Sequence, residues 1–120
     1  MDAAYVFRVR FRLDPDDVRV DPNEFETVLR IPAAEPGKEG WLFFQQHLWR
    51  GKVGDEKHLR EIAEDHLGVS VSAASFSELE TDEPYLDALK DEIAVGVARF
   101  NADSVDEVLH KYLGSSIHVR

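Results

Sequence analysis

The stretch YVFRVRFRL, residues 5–13, changes side-chain character at every second position. A period of two is typical of a strand with one buried and one exposed face. The apolar face carries Tyr5, Phe7, Val9, Phe11 and Leu13. The opposite face carries Val6, Arg8, Arg10 and Arg12. The pattern therefore predicts a half-buried strand at Tyr5–Leu13 that presents three arginines on its outward side.

The segment Glu24–Ile31 alternates in the same way and predicts a second strand. The turn-rich sequence DPDDVRVDPN, residues 14–23, joins the two strands. If they pair antiparallel with Arg12 opposite Glu24, then Arg10 lies opposite Glu26. Opposite charges that face each other across two strands stabilise the pairing, so we expect this register.

The three arginines have two interpretations. In the expected register, ion pairs neutralise two of them and Arg8 faces Val28. Pairing Arg12 with Glu26 instead would place Arg8 opposite Arg30, and the like charges would repel. In the second interpretation, arginines about 7 Å apart along the strand follow the phosphates of a single-stranded nucleic acid. The ion-pair interpretation is favoured, because its register leaves only Arg8 without an acidic residue opposite. Concentrated salt, which the charge balance discussed below indicates, adds to this preference because it weakens phosphate contacts steeply.

The most aromatic segment is WLFFQQHLWR, Trp41–Arg50, which lies between Gly40 and Gly51. Bracketing glycines and aromatic enrichment favour a third strand, with Trp41, Phe43, His47 and Trp49 on one side. The alternative is a helix in which Trp41, Phe44 and Leu48 form part of an apolar stripe.

The second half of the chain predicts helices separated by strands. The elements are a helix from the N-cap Asp55 to Gly68, a strand at Val69–Glu80, a helix that begins at Pro84, a helix with the capping box Ser104–Glu107, and an edge strand at Ile117–Arg120. The order β-β-β-α-β-α-α-β indicates an α+β fold in one domain, residues 1–120. We expect a mainly antiparallel sheet of four to five strands with three helices on one face.

The charge balance points to concentrated salt. The chain has 24 acidic and 14 basic residues, a net charge of −10 and no cysteine. Salt at about 1 M shortens the Debye length to roughly 3 Å, which would relieve the self-repulsion of such a protein. An ordinary acidic protein is the alternative. No signal segment and no long apolar stretch is present, so we expect a cytoplasmic protein without membrane contact.

The tripeptide Leu48-Trp49-Arg50, together with the length and acidity of the chain, resembles the LWR-salt family of haloarchaeal proteins. The resemblance covers essentially the whole chain. It implies a haloarchaeal cytoplasm and transfers no catalytic residue.

Together these features predict a non-catalytic interaction module of a halophilic cytoplasm, either a homodimer or bound to another protein. The predicted binding residues belong to the sheet face with arginines and aromatics, except that Arg50 would point to the side opposite Trp49: Arg8, Arg10, Arg12, Trp41, Phe43, His47, Trp49 and Arg50. RNA or single-stranded DNA on that face is the first alternative. A small-molecule enzyme is the second, and it would be supported by His47 meeting a carboxylate in a pocket. No motif predicts a catalytic residue, a cofactor or a metal ligand.

Overall fold

A computed structural model describes residues 1–12, 24–48 and 56–120. Its strands are β1 (Ala3–Arg12), β2 (Glu24–Pro32), β3 (Val71–Thr81) and β4 (Ile117–Val119). Its helices are α1 (Phe43–His47), α2 (Glu56–Leu67), α3 (Glu83–Val95) and α4 (Val105–Tyr112), with a 3-10 turn at Val97–Phe100. The α+β class is thus confirmed. In the described part of the chain the helices number four rather than the three predicted.

The four strands form one sheet in the order β2-β1-β3-β4. Strand β1 is antiparallel to both of its neighbours, whereas β4 runs parallel to β3. The sheet is therefore mixed, although most of its pairing is antiparallel as predicted. The first strand of the chain is a central strand, so residues far apart in sequence meet along both of its edges.

Alternation in β1 produces the two faces predicted for it. Tyr5, Phe7 and Val9 are buried, while the arginines between and beyond them are exposed. The register of β1 on β2 is also confirmed, with Arg12 opposite Glu24 and Arg10 opposite Glu26. We call the side of the sheet with Arg8, Arg10 and Arg12 the outer face and the opposite side the inner face.

The hydrophobic core lies between the inner face and the helices. Its fully buried members include Phe7 and Leu79 from the strands and Leu59, Leu89 and Val108 from the helices. Apolar side chains at i, i+3 and i+4 spacing turn one stripe of each helix toward the sheet. Among the described residues, all members of this cluster that come from β1 lie on the inner face. The outer face is thus the one that this core leaves uncovered.

The strand predicted at Trp41–Arg50 is wrong for its described part, because Phe43–His47 is a helix. A strand would send Trp41 and Phe44 to opposite sides, whereas the observed turn and helix bury both, together with Leu48. Phe44 lies 5.9 Å from Phe100 between ring centroids, so this segment is part of the core. One-sided burial of several large side chains favours the helix here.

The helix ends follow the predicted signals. The Ser104 hydroxyl accepts a hydrogen bond from the Glu107 amide at 3.1 Å and caps α4. The Glu107 carboxylate accepts from the Asp103 amide rather than from that of Ser104, so the capping box closes one residue earlier than its ideal form. Gly68 and Gly114 follow α2 and α4 with φ of 70° and 57°, a conformation that favours glycine. The predicted N-cap Asp55 lies outside the described residues.

Candidate interaction surface

The outer face is built from the residues of neighbouring strands that lie opposite one another. Its rows, read from the registers, are Glu24–Arg12, Glu26–Arg10–Ala73, Val28–Arg8–Ser75, Arg30–Val6–Glu78 and Pro32–Ala4–Glu80. Irregular pairing of β3 with β1 occurs between Val6 and Phe7 and between Arg10 and Phe11. These irregularities lie in the serine-rich part of β3, and at each of them the pairing of β3 with β1 shifts by one residue.

Arg10 forms the best-connected ion pair on β1. Its Nη2 lies 2.6 Å from Glu26 Oε1, and its Nε lies 3.8 Å from Glu24 Oε1. The hydrogen bond from Arg10 holds the pKa of Glu26 below its usual range and raises the pKa of Arg10. Ser72 donates to Glu24 at 3.1 Å, which extends the cluster to β3. Arg10 is therefore engaged within the protein.

A second ionic cluster joins both edges of the sheet through Glu80. The Glu80 carboxylate contacts Arg30 from β2 at 3.1 Å and also contacts Arg120 beyond β4. Only 11 % of the Glu80 side chain is exposed, so two guanidinium groups compensate its burial. Near it, Val6 is buried on the outer face, and its opposite residues are Arg30 and Glu78. The stems of such long side chains exclude water from it.

Besides Arg10, β1 places two further arginines on the outer face, Arg8 and Arg12, and both are exposed. Neither forms an ion pair with another residue of the described ranges. Arg8 lies between Val28, which is 54 % exposed, and the small side chain of Ser75. The middle of the outer face is therefore low and open, and at its centre lies the Arg8 guanidinium, which forms no ion pair with another described residue.

The charge of the outer face differs from that of the rest of the protein. Of the residues that the structure describes, five arginines lie on it or reach it, against four glutamates: Arg8, Arg10, Arg12, Arg30 and Arg120, and Glu24, Glu26, Glu78 and Glu80. The chain as a whole carries −10. This face is thus close to neutral on a protein that is strongly acidic elsewhere.

Two of the aromatic residues predicted to share this face, Trp41 and Phe43, do not lie on it. Trp41 is 9 % exposed and packs 6.4 Å from Phe100 between ring centroids. Phe43 lies 4.5 Å from Tyr5, on the inner face. The prediction of one surface with both arginines and aromatics is therefore wrong for Trp41 and Phe43. The helix at Phe43–His47 is the reason, because it turns these rings toward the core.

His47 meets another histidine rather than a carboxylate among the contacts described. Its Nδ1 lies 3.0 Å from Nε2 of His58, the ring centroids are 5.1 Å apart and the planes differ by 19°. Because the two nitrogens are much closer to each other than the two ring centroids are, the imidazole rings meet edge to edge. One of the two ring nitrogens donates and the other accepts, and the tautomers of the two rings determine which is which. Within the described residues, no group of three or more potential ligands surrounds a metal-sized site.

An open cleft of about 810 Å³ lies beside the start of α2 and the three longer strands. Leu59 and Glu56 line it from the helix, and Val9, Thr27 and Ala74 line it from the sheet. His47 is not among the described residues of its wall. The convergence that would have supported an enzyme is thus not seen at this cleft.

A family model described as LWR-salt protein matches residues 1–120. The chain belongs to the LWR-salt protein family. No curated protein and no solved structure matches it. Of the LWR-salt tripeptide, Leu48 is 1 % exposed and belongs to the core. Trp49 and Arg50, both predicted binding residues, lie outside the described residues.

Three residues of the outer face were not predicted from the sequence as members of a site. Arg30, Glu80 and Arg120 come together from β2, β3 and the residue after β4. The predicted edge strand at the end of the chain was the one signal that could have placed Arg120 beside β3. In the described ranges, no helix of this LWR-salt protein is both long and apolar enough to cross a bilayer.

Proposed function

We propose that this LWR-salt protein is a non-catalytic protein-binding module of a halophilic cytoplasm, and that its outer face docks on an acidic surface of a partner protein. The observation that carries the proposal is the near-neutral, arginine-rich face on a chain of net charge −10. Most of the remaining surface would repel an acidic partner, so this face is where such a partner can approach.

Arg8 and Arg12 supply the contacts in this proposal. Both are exposed, and neither is neutralised by an ion pair with another described residue. Concentrated salt screens attraction at a distance, but an arginine can still hold a carboxylate by two direct hydrogen bonds. Recognition would therefore depend on contact geometry rather than on long-range steering.

Face-to-face homodimerisation and nucleic-acid binding are less well supported. Both drew on aromatic side chains beside the arginines. By register, no Phe, Tyr or Trp of the described residues lies on the outer face. Without stacking surfaces, a single-stranded nucleic acid loses contacts worth about 1–3 kcal/mol per base.

The test is a binding titration with two labelled probes, a poly-glutamate peptide and an oligouridylate, each followed by fluorescence anisotropy at several KCl concentrations. We expect the peptide to bind, and R8Q/R12Q to weaken it about three- to tenfold, the usual range for two exposed charge contacts. The control K57Q/R99Q removes two exposed cations from other surfaces and should bind like the wild type.

Equal binding by R8Q/R12Q and the control would contradict the proposed site. Absence of peptide binding at every salt concentration would contradict the proposed partner chemistry. Tight oligouridylate binding that falls steeply with salt would favour the nucleic-acid alternative.

A further inference from the structure

The outer edge of β2, with which no other described strand pairs, carries the features of a self-pairing strand. β2 lies at the end of the described sheet and is nine residues long, whereas the opposite edge strand β4 has three. Its register on β1 is continuous, without a bulge. Proteins usually protect such an edge with bulges, prolines or charged side chains. β2 has no bulge against β1 and has proline only at its last position, and its charges, Glu24, Glu26 and Arg30, are of both signs and can pair across a seam.

The hydrogen bonds of β1 show which groups of β2 point outward. The Ala33 amide donates to the Ala3 carbonyl at 2.9 Å. Residues alternate along an antiparallel ladder, so the odd-numbered residues of β2 bond toward β1. The even-numbered ones therefore direct N–H and C=O toward the open edge: Glu24, Glu26, Val28 and Arg30, with Pro32 lacking its N–H. Outside the ladder, no backbone hydrogen bond from another described residue reaches these positions.

The sequence of β2 is complementary to itself when two copies run antiparallel. With Val28 opposite the partner's Val28, Glu26 lies opposite the partner's Arg30, and this pairing occurs twice by symmetry. On the inner face, Phe25 then lies opposite the partner's Ile31 and Thr27 opposite the partner's Leu29. Cross-strand pairs of opposite charge and of apolar side chains are the contacts that stabilise a sheet.

We propose that β2 pairs with β2 of a second copy, with Val28 on the two-fold axis, to form one continuous eight-stranded sheet. About eight backbone hydrogen bonds would close the seam, because the outward-pointing residues are the ones that meet in this register. The interface is isologous, so each copy supplies the same edge and no further edge of β2 stays open.

Other registers fit less well. With Thr27 on the axis, Glu26 faces the partner's Val28, and the last two residues of β2 are unpaired. With Leu29 on the axis, Glu26 faces the partner's Pro32 and Arg30 faces the partner's Val28. The axis at Val28 pairs all nine residues of the strand and places both Glu26–Arg30 contacts in register.

The proposed dimer does not depend on what binds the outer face. It would, however, join the outer faces of the two copies into one surface of about twice the area. Arg8 neighbours Val28 on β1. The central row of the joined sheet would therefore read Arg8, Val28, the partner's Val28 and the partner's Arg8. In each adjacent row, Arg10 and Glu26 would be followed across the seam by the partner's Arg30.

Single cysteines test the geometry directly, since the natural chain contains none. Val28→Cys places two sulfur-bearing residues opposite each other at about 5.5 Å between Cα atoms, within disulfide range. In the proposed register, Thr27→Cys is displaced from its copy by two positions and lies beyond that range. Val95→Cys, at an 82 % exposed position of α3, reports random collision.

The variants are oxidised mildly at about 2 M KCl, because concentrated salt screens the repulsion between the acidic copies. We expect the yield of covalent dimer from V28C to be at least about fivefold higher than that from T27C or V95C. Non-reducing gels measure the yield. Equal yields, or no dimer from V28C, would overturn the proposal. Preferential cross-linking of T27C would overturn the proposed axis.

A second variant tests the backbone hydrogen bonds without cysteine. The Val28 N–H points away from β1, so Val28→Pro removes no hydrogen bond of the β1–β2 ladder, and edge strands accept proline. Light scattering coupled to size exclusion should report a dimer for the wild type and for Val28→Thr, and a monomer for V28P. A V28P that folds and still dimerises would refute strand pairing. If V28P does not fold, the cysteine yields decide. V28P retains Arg8 and Arg12, so its peptide binding separates this result from the proposed function.

Discussion

Two leucines that flank α1 distinguish the observed helix from the strand that the sequence favoured. Leu48 is 1 % exposed, whereas Leu42 is only partly buried. On a strand both would lie on one face and be buried alike, because they are six positions apart and side chains alternate with a period of two. We therefore expect Leu48→Ala to be far more destabilising than Leu42→Ala.

The expected size follows from their burial. A fully buried leucine replaced by alanine costs about 3–4 kcal/mol, of the order seen for well-packed cores. Leu42 is half-buried and should cost roughly 1–2 kcal/mol on the same basis. Against a total stability of about 5–15 kcal/mol, L48A should leave a folded but weakened protein.

Urea unfolding at a fixed KCl concentration, followed by circular dichroism, measures both variants. With a slope of about 2 kcal/mol per molar urea, L48A should lower the midpoint by about 1.5–2 M and L42A by less than about 1 M. Equal shifts for the two leucines would refute the helical placement of this segment. A variant with an altered slope would have to be excluded from the comparison, since its unfolded or native state has changed.

Three further outcomes follow from described contacts. Ser104→Ala removes the N-cap of α4 and should cost about 1 kcal/mol in the same unfolding assay, whereas Ser104→Asp should retain most of the stability. Burial raises the pKa of Tyr85 from 10.0 to about 12, so its contribution to stability is complete below pH 10 and is lost between about pH 10 and 12. Tyr85→Phe should reduce that alkaline decline but not abolish it, because burial also raises the pKa of Tyr5, and an unchanged profile would contradict the assignment. The Tyr85 amide donates to Asp82 and lowers its pKa, so this contribution is present above the usual value of 3.8 and is lost as pH falls through the lower folded value. Asp82→Asn should therefore reduce the acid dependence of the unfolding free energy.

Local patterns predicted the part of the outer face that β1 and β2 form around Arg8, Arg10 and Arg12, because the decisive information for that part is local. Alternation along β1 assigned Arg8, Arg10 and Arg12 to one side. The charges of Glu24 and Glu26 then selected the register, because the competing pairing set two arginines against each other. The alternation that buries one face and the charges across the two strands favour the same register, so the sequence was sufficient to predict this half of the sheet.

The segment Trp41–Leu48 was misassigned because its sequence fits two periods. Apolar residues recur both at alternate positions and at i, i+3 and i+7, and propensity does not separate the two. What decides is the position of Phe100 and Tyr112, whose rings pack on Phe44. That contact crosses more than fifty residues of chain and leaves no local trace.

Glu80 was missed for a related reason. Its partners Arg30 and Arg120 are 50 and 40 residues away in sequence, and they meet only because β3 lies between β1 and β4. Strand order is a property of the assembled sheet. Periodicity identifies strands and their faces, but it does not give their neighbours.

The position of β1 at the centre of the sheet has a consequence during synthesis. β1 is made first, yet one of its two long neighbours, β3, follows some sixty residues later. Until then an apolar strand waits with an unfilled edge, the situation in which nascent chains aggregate. Charged residues interspersed with hydrophobic ones act as gatekeepers against such aggregation. Arg8, Arg10 and Arg12 alternate with the apolar residues of β1, so on this principle we expect them to reduce aggregation of the strand before β3 pairs with it.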